Sequence, residues 1–235
     1  MSSISEAQEI YNQLYHSSKH LVRAGEIDID QNLLDQKNDH RRGLSIILRP
    51  DSNTANQIKR FQDEMQKLDS RQYYQPKTDL HITVLSIITA YDGFKMEQID
   101  IKHYSNIISD ALKNRKKFSI SLQGVTCSTS AVMIQGFDES GSLQSMRENI
   151  KQAFKNSKIK DSLDSRYILK TAHFTVVRFM QHLTDPQSYF EIIEKYRDHY
   201  FGSFEISELD FVFHDWYQSN ERLQILKKVK LHSTH

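Results

Sequence analysis

Cysteine is all but missing from this chain. Cys127 stands alone among 235 residues, which excludes an internal disulfide framework and any cysteine-built zinc site. A cytoplasmic setting is the expectation that follows. The 7 glycines are scattered. They form neither a phosphate-cradling P-loop nor a dinucleotide fingerprint, and no Gly-x-Ser-x-Gly elbow occurs. Charge of one sign is also lacking, because the formal net charge is only +1. Without a global basic field, a long nucleic-acid duplex is a poor fit, and a small or short nucleotide fits better. Local clusters such as Arg41-Arg42 and Lys113 to Lys117 read as solvated surface. No apolar run approaches the length of a membrane span. The first residues, Met1 to Glu6, carry no basic region followed by an apolar core, so no secretion signal is expected.

What is present is an ordinary folded composition, 38% hydrophobic and 26% charged, with enough length for one large domain or two lobes. The first segment, 1–42, reads as a helical extension. Ser5 is a candidate cap, Ile10, Leu14, Leu21 and Val22 form a broken stripe, and a polar connection follows. From residue 43 the pattern becomes regular. Strands are expected near 43–49, 79–88 and 118–122, with helices near 53–68 and 97–113 between them. The order then recurs: strands near 131–137, 167–180 and 204–209, and helices near 143–154 and from Pro186. A final strand near 223–231 closes a hairpin. The body, 43–235, is thus expected to be one bilobal domain of two strand-helix-strand-helix-strand units, about 43–125 and 130–231.

Two tripeptides carry the chemistry. His81-Ile82-Thr83 and His173-Phe174-Thr175 each lie inside an apolar run, 92 residues apart, at matching points of the repeated order. Side chains at i and i+2 of a strand share a face, so each run sets an imidazole beside a hydroxyl. Two such pairs facing each other would supply two proton-transfer groups and two hydroxyl donors. That suits in-line chemistry at a phosphate and calls for no metal. His232-Ser233-Thr234 has the same spacing but sits in a polar tail and is set aside. His16 and His20, four apart on an expected helix, have no evident third ligand, so no metal site is assigned. Two half-buried strands that merely expose His and Thr are the plain structural alternative, and it predicts histidines that do not converge.

The arrangement resembles the 2H phosphoesterase superfamily, which includes 2′-5′ RNA ligase-like proteins, cyclic phosphodiesterases and 2′,5′-phosphodiesterases. The similarity covers about residues 43–231. His173-Phe174-Thr175-Val176-Val177-Arg178 resembles the superfamily's His-x-Thr-Leu-x-Arg, with Ala172 where proline is frequent. His81-Ile82-Thr83-Val84 fits the first motif, with Ser86-Ile87-Ile88 in place of the Phe-Leu-Gly that often follows. The resemblance implies an α+β fold of two pseudo-symmetric lobes, each an antiparallel-rich sheet with helices on its outer face, and an active cleft between them. It implies His81 and His173 as general acid and base, in an order left open, and Thr83 and Thr175 as phosphate donors. It implies no cofactor. The ligand would be a small nucleotide or RNA terminus carrying a 2′,3′-cyclic or 2′,5′-linked phosphate. A monomer without a membrane partner is expected, and the sequence names no protein partner. Further candidate contacts are Arg178, Tyr74, Lys77 and Trp216. Strict alternation would put Arg178 on the face opposite His173 unless the strand bulges. Tyr74 is open between base stacking and packing. The same cleft could also bind without turnover, or run in reverse as a ligase.

Overall fold

The computed structural model describes residues 3–163 and 169–233. The first residues of the expected 167–180 strand, and Thr234 of the third triplet, lie outside the described residues. Helix α1 (Ser3–Ala24) is followed by extended chain and short 3-10 turns at Gln31–Leu33 and Gln36–Asn38. The body then runs β1 (Arg42–Leu48), α2 (Ser52–Leu68), β2 (Tyr73–Tyr74), β3 (Ile82–Tyr91), α3 (Ile101–Ala111), β4 (Phe118–Cys127). It continues β5 (Ala131–Phe137), α4 (Ser142–Ser157), β6 (Ala172–Arg178), α5 (Pro186–Lys195), β7 (Tyr200–Ile206), β8 (Glu208–Asp215) and β9 (Gln224–Lys230). Helices α2, α3 and α5 each begin on an aspartate cap. Asp51, Asp100 and Asp185 accept from the backbone N–H of Thr54, His103 and Ser188, satisfying donors that a helix start leaves open.

The strands form two antiparallel sheets, ordered β3-β1-β8-β9 and β2-β6-β5-β4-β7. Helices α1, α2 and α5 pack on the five-stranded sheet; α3 and α4 pack together on the four-stranded one. This is the two-lobed α+β architecture expected from the sequence. β3-β1-β8-β9 and β6-β5-β4-β7 repeat one pattern, with a His-x-Thr strand at the corresponding place in each.

The two lobes are not contiguous stretches of chain. β4 ends the first expected unit yet pairs with β5 and β7, while β8 lies inside the second expected unit and pairs with β1. The expected 204–209 strand is also two strands, parted at Ser207, where the chain passes from one sheet to the other. The alternation slips there, with polar Ser207 and Glu208 side by side before Leu209, a break that a single strand over 204–209 passes over. β4 runs on to Cys127, past the expected end at 122, because its alternation breaks at a bulge between Leu122 and Val125. Gly124 turns that bulge at φ +84, and a Cβ there would stand 2.4 Å from the Arg197 carbonyl oxygen. One continuous apolar core joins both sheets, and Tyr15 and Val22 of α1 belong to it.

Candidate active site

β3 and β6 approach one another across the two sheets, with Cα atoms within 8 Å. A cleft of about 180 Å³ opens there. His81, Thr83, His173, Thr175, Arg178 and Trp216 all line it. The structure therefore brings both motifs to one cavity.

The strands do this with the same irregularity. On β6, Met133 pairs with Thr175 and Val132 with Val177, which leaves Val176 as an extra residue. On β3, Ile47 pairs with Thr83 and Ile46 with Leu85, which leaves Val84 extra. Each bulge comes directly after the motif threonine and shifts the alternation by one. His173, Thr175 and Arg178 consequently share the cleft face, and so do Thr83 and Ser86. The condition that would carry Arg178 to the cleft is met. A second bulge at Ile87 adds Thr89.

Two of the candidate contacts lie elsewhere. Tyr74 donates its hydroxyl to the Asp69 carbonyl at 2.7 Å, sits 3.2 Å from the Tyr189 hydroxyl, and packs against the core. It pairs with Val177, one position from Arg178, so it takes the face away from the cleft. Lys77 reaches the Asn56 side chain and does not line the cleft. Tyr217, next to Trp216, lines it as well, and so do Ser45, Gln75, His214 and Gln218, which sequence reading missed. Ser45 carried a faint signal, a lone hydroxyl in the apolar run Leu44 to Leu48.

The histidines are held by hydrogen bonds that fix their state. His81 Nδ1 lies 2.7 Å from the Asp79 carbonyl oxygen, which only accepts, so Nδ1 carries the proton. Neutral His81 thus keeps a bare Nε2. The Asp79 carboxylate steadies the turn, accepting from Thr78 Oγ1 and the Asn220 backbone N–H. His173 Nδ1 lies 3.1 Å from Thr171 Oγ1, a hydroxyl able to donate to it. Enclosure in the cleft pushes the His81 imidazole down to about 3, with His214, Arg49 and Arg178 adding to the fall. His173 is pushed down to about 4 by the same enclosure and by Arg147 and Arg178. Both rings are neutral in the open cleft near pH 7. Behind Ser45, buried His214 gives its Nδ1 proton to the Asp215 carbonyl and accepts from Ser45 Oγ at 2.7 Å.

The rim is braced by the N-terminal extension. Tyr217 donates to Asp30 at 2.9 Å, Arg222 donates to the Gln36 carbonyl, and Arg41 lies 4.2 Å over the Trp216 ring. A bidentate Asp39 carboxylate holds Arg41 in place. Among the described residues, no group of three or more His, Cys, Asp or Glu could hold a metal ion, and no helix is long and apolar enough to cross a membrane.

Comparison with known proteins gives a family and a shared fold. Residues 44–231 match the family described as AKAP7 2′5′ RNA ligase-like domain. No curated protein sequence matches the chain. Among solved structures, TT0787 of Thermus thermophilus is similar at a TM-score of 0.57 and 14% identity, over 83% of this chain and 100% of its own. Escherichia coli LigT complexed with NADP+ is similar at 0.56 and 14% identity, over 82% of this chain and 98% of its own. The same protein complexed with 3′-AMP gives 0.54 and 13%, over 81% and 98%. At these identities the structural likeness speaks for the fold.

Proposed function

The chain belongs to the AKAP7 2′5′ RNA ligase-like domain family, within the 2H phosphoesterase superfamily, and from that premise we propose that it is a metal-independent phosphodiesterase. Its substrates would be 2′,3′-cyclic or 2′,5′-linked phosphodiesters of small nucleotides or RNA ends. The observation that carries this reading is the meeting of both His-Thr pairs and Arg178 in one cleft. The NADP+ and 3′-AMP complexes of LigT support a nucleotide as the ligand class.

The hydrogen bonds suggest a division of labour. His81, with Nδ1 proton given to Asp79 and Nε2 bare, is the base that takes a proton from water. The water oxygen bonds to phosphorus as the bond to the departing ribose oxygen breaks. His173, protonated once the anionic substrate is bound, gives its proton to that oxygen. Its Nδ1 rests against Thr171, so the transferable proton sits on Nε2. Thr83 and Thr175 donate to the non-bridging oxygens, and Arg178 offsets the charge that builds on them.

The test is a panel of 2′,3′-cyclic nucleotides, 2′,5′-linked dinucleotides and cyclic-phosphate-ended oligoribonucleotides, with and without EDTA. Turnover that survives chelator and disappears in His81→Ala and His173→Ala is expected. Binding without cleavage, or full activity in either variant, would overturn the reading.

A further inference from the structure

His173 enters the cleft from the dipeptide Thr171-Ala172, and two buried side chains from distant parts of the chain grip that dipeptide. The first is Tyr11 of α1, 1% exposed. Its hydroxyl donates to the Ala172 carbonyl at 2.8 Å and accepts from the backbone N–H groups of Ala172 at 3.1 Å and Gly136 at 3.3 Å. One donor and two acceptor positions are the full capacity of a phenol. Gly136 is Ala172's partner on β5, and a Cβ there would stand 2.3 Å from the Ala172 oxygen. The second is Arg147 of α4, also 1% exposed. Its guanidinium donates to the carbonyls of Thr171 at 2.7 Å, Val84 at 2.7 Å and Thr83 at 3.2 Å. Arg147 therefore ties the backbone of one motif directly to the approach of the other.

We propose that Tyr11 and Arg147 are positioning residues for His173, so that the N-terminal helix, outside the family match, is a working part of the site. Tyr11 fixes Ala172 from the helix packed on the five-stranded sheet. Arg147 fixes Thr171 from a helix packed on the four-stranded sheet and spans to Thr83. Together they set where the His173 ring stands relative to Thr83 across the cleft. This rests on the reading of His173 as the proton donor to the leaving oxygen. The planar fork of Arg147 is needed, since an ammonium is a point donor that cannot serve three carbonyls in this spread. Its cation also keeps the neutral form of His173 favoured, an effect that is absent from the leading influences on His81.

The experiment uses the full chain with Tyr11→Phe, Arg147→Lys and Arg147→Met, and inorganic phosphate as the NMR probe of both imidazoles. Tyr11→Phe removes one oxygen and keeps the ring packed against Phe137. It is expected to lower kcat about tenfold with KM nearly unchanged, the cost of a small misplacement of a reacting group. The His173 ring signals should move or broaden while those of His81 stay. Arg147→Lys should lose kcat yet keep His173 hard to protonate; Arg147→Met should raise the His173 pKa alone. Should the Arg147 variants not fold, Tyr11→Phe decides. Unchanged kcat and His173 signals in Tyr11→Phe would overturn the proposal, as would equal disturbance of both histidines. If phosphate moves both imidazoles of the unmodified protein but Tyr11→Phe behaves like it, the clamp alone fails. If phosphate moves neither, the phosphoesterase reading fails and the clamp with it.

Discussion

Binding of a phosphodiester to the cleft should draw in a proton from solvent. In the free protein both imidazoles are neutral near pH 7, because their pKa values stand at about 3 for His81 and about 4 for His173. Acid catalysis needs one of them charged. A diester brings one negative charge to hydrogen-bond distance, roughly 3 Å from a ring nitrogen. At an effective dielectric near 20 that attraction is about 5 kcal/mol. With 1.36 kcal/mol per tenfold change in proton affinity, it returns His173 from about 4 to the neutral range. The same anion also offsets the Arg178 charge that holds both rings down. Calorimetry at pH 7 in buffers of different ionisation enthalpy measures the uptake. The ligand should be a 2′,5′-dinucleotide with a methylene in place of the leaving oxygen, whose charge does not titrate near neutrality. Uptake approaching one proton is expected, with affinity rising as pH falls from 8 to 6. His173→Asn should abolish the uptake. No uptake anywhere between pH 6 and 8 would refute the reasoning, and loss of uptake in His81→Asn alone would exchange the two roles.

Further outcomes follow from the same contacts. Arg178→Met removes a charge-assisted contact worth about 1.5–3 kcal/mol, so KM for a nucleotide substrate should rise by about one to two powers of ten; an unchanged KM in steady-state assays would place Arg178 outside the ligand's reach. Because His81 and His173 have folded pKa values below the unfolded 6.5, unfolding takes up protons between those values. Their share of stability is full above about pH 6.5 and is lost as pH falls toward 4, and urea midpoints should show a shallower acid loss in His173→Gln. Gly136→Ala sets a methyl against the Ala172 oxygen and should cost about 1–3 kcal/mol by forcing the two strands apart; a denaturation midpoint equal to the unmodified protein's would contradict that geometry. Asp69→Asn disturbs a buried carboxylate that accepts from Arg71, Gln72 and Thr184 and whose pKa those bonds hold far below the usual range. It should destabilise by about 1–3 kcal/mol in the same assay while leaving kcat unchanged, since Asp69 and the neighbouring Tyr74 stand behind the cleft.

The amino-acid order by itself determined the elements and the chemistry-bearing pairs. Apolar periods of 3.6 and 2 gave the strand and helix alternation from residue 43 to 231, because each element must bury one face and the spacing of its apolar residues records which. His81 with Thr83 and His173 with Thr175 were legible for the same reason: two positions on one strand share a face whatever the fold around them. The tertiary structure decided everything that depends on contacts between distant segments. Which sheet β4 and β8 join is set by pairing partners that alternation does not encode. Arg178 and Ser86 reach the cleft because bulges against β5 and β1 break the alternation that local spacing implies. His214, Gln218, Tyr11 and Arg147 come to the site from far along the chain. Nothing in their own neighbourhoods marks them, since a buried hydroxyl or guanidinium takes its role from the backbone groups it meets after folding.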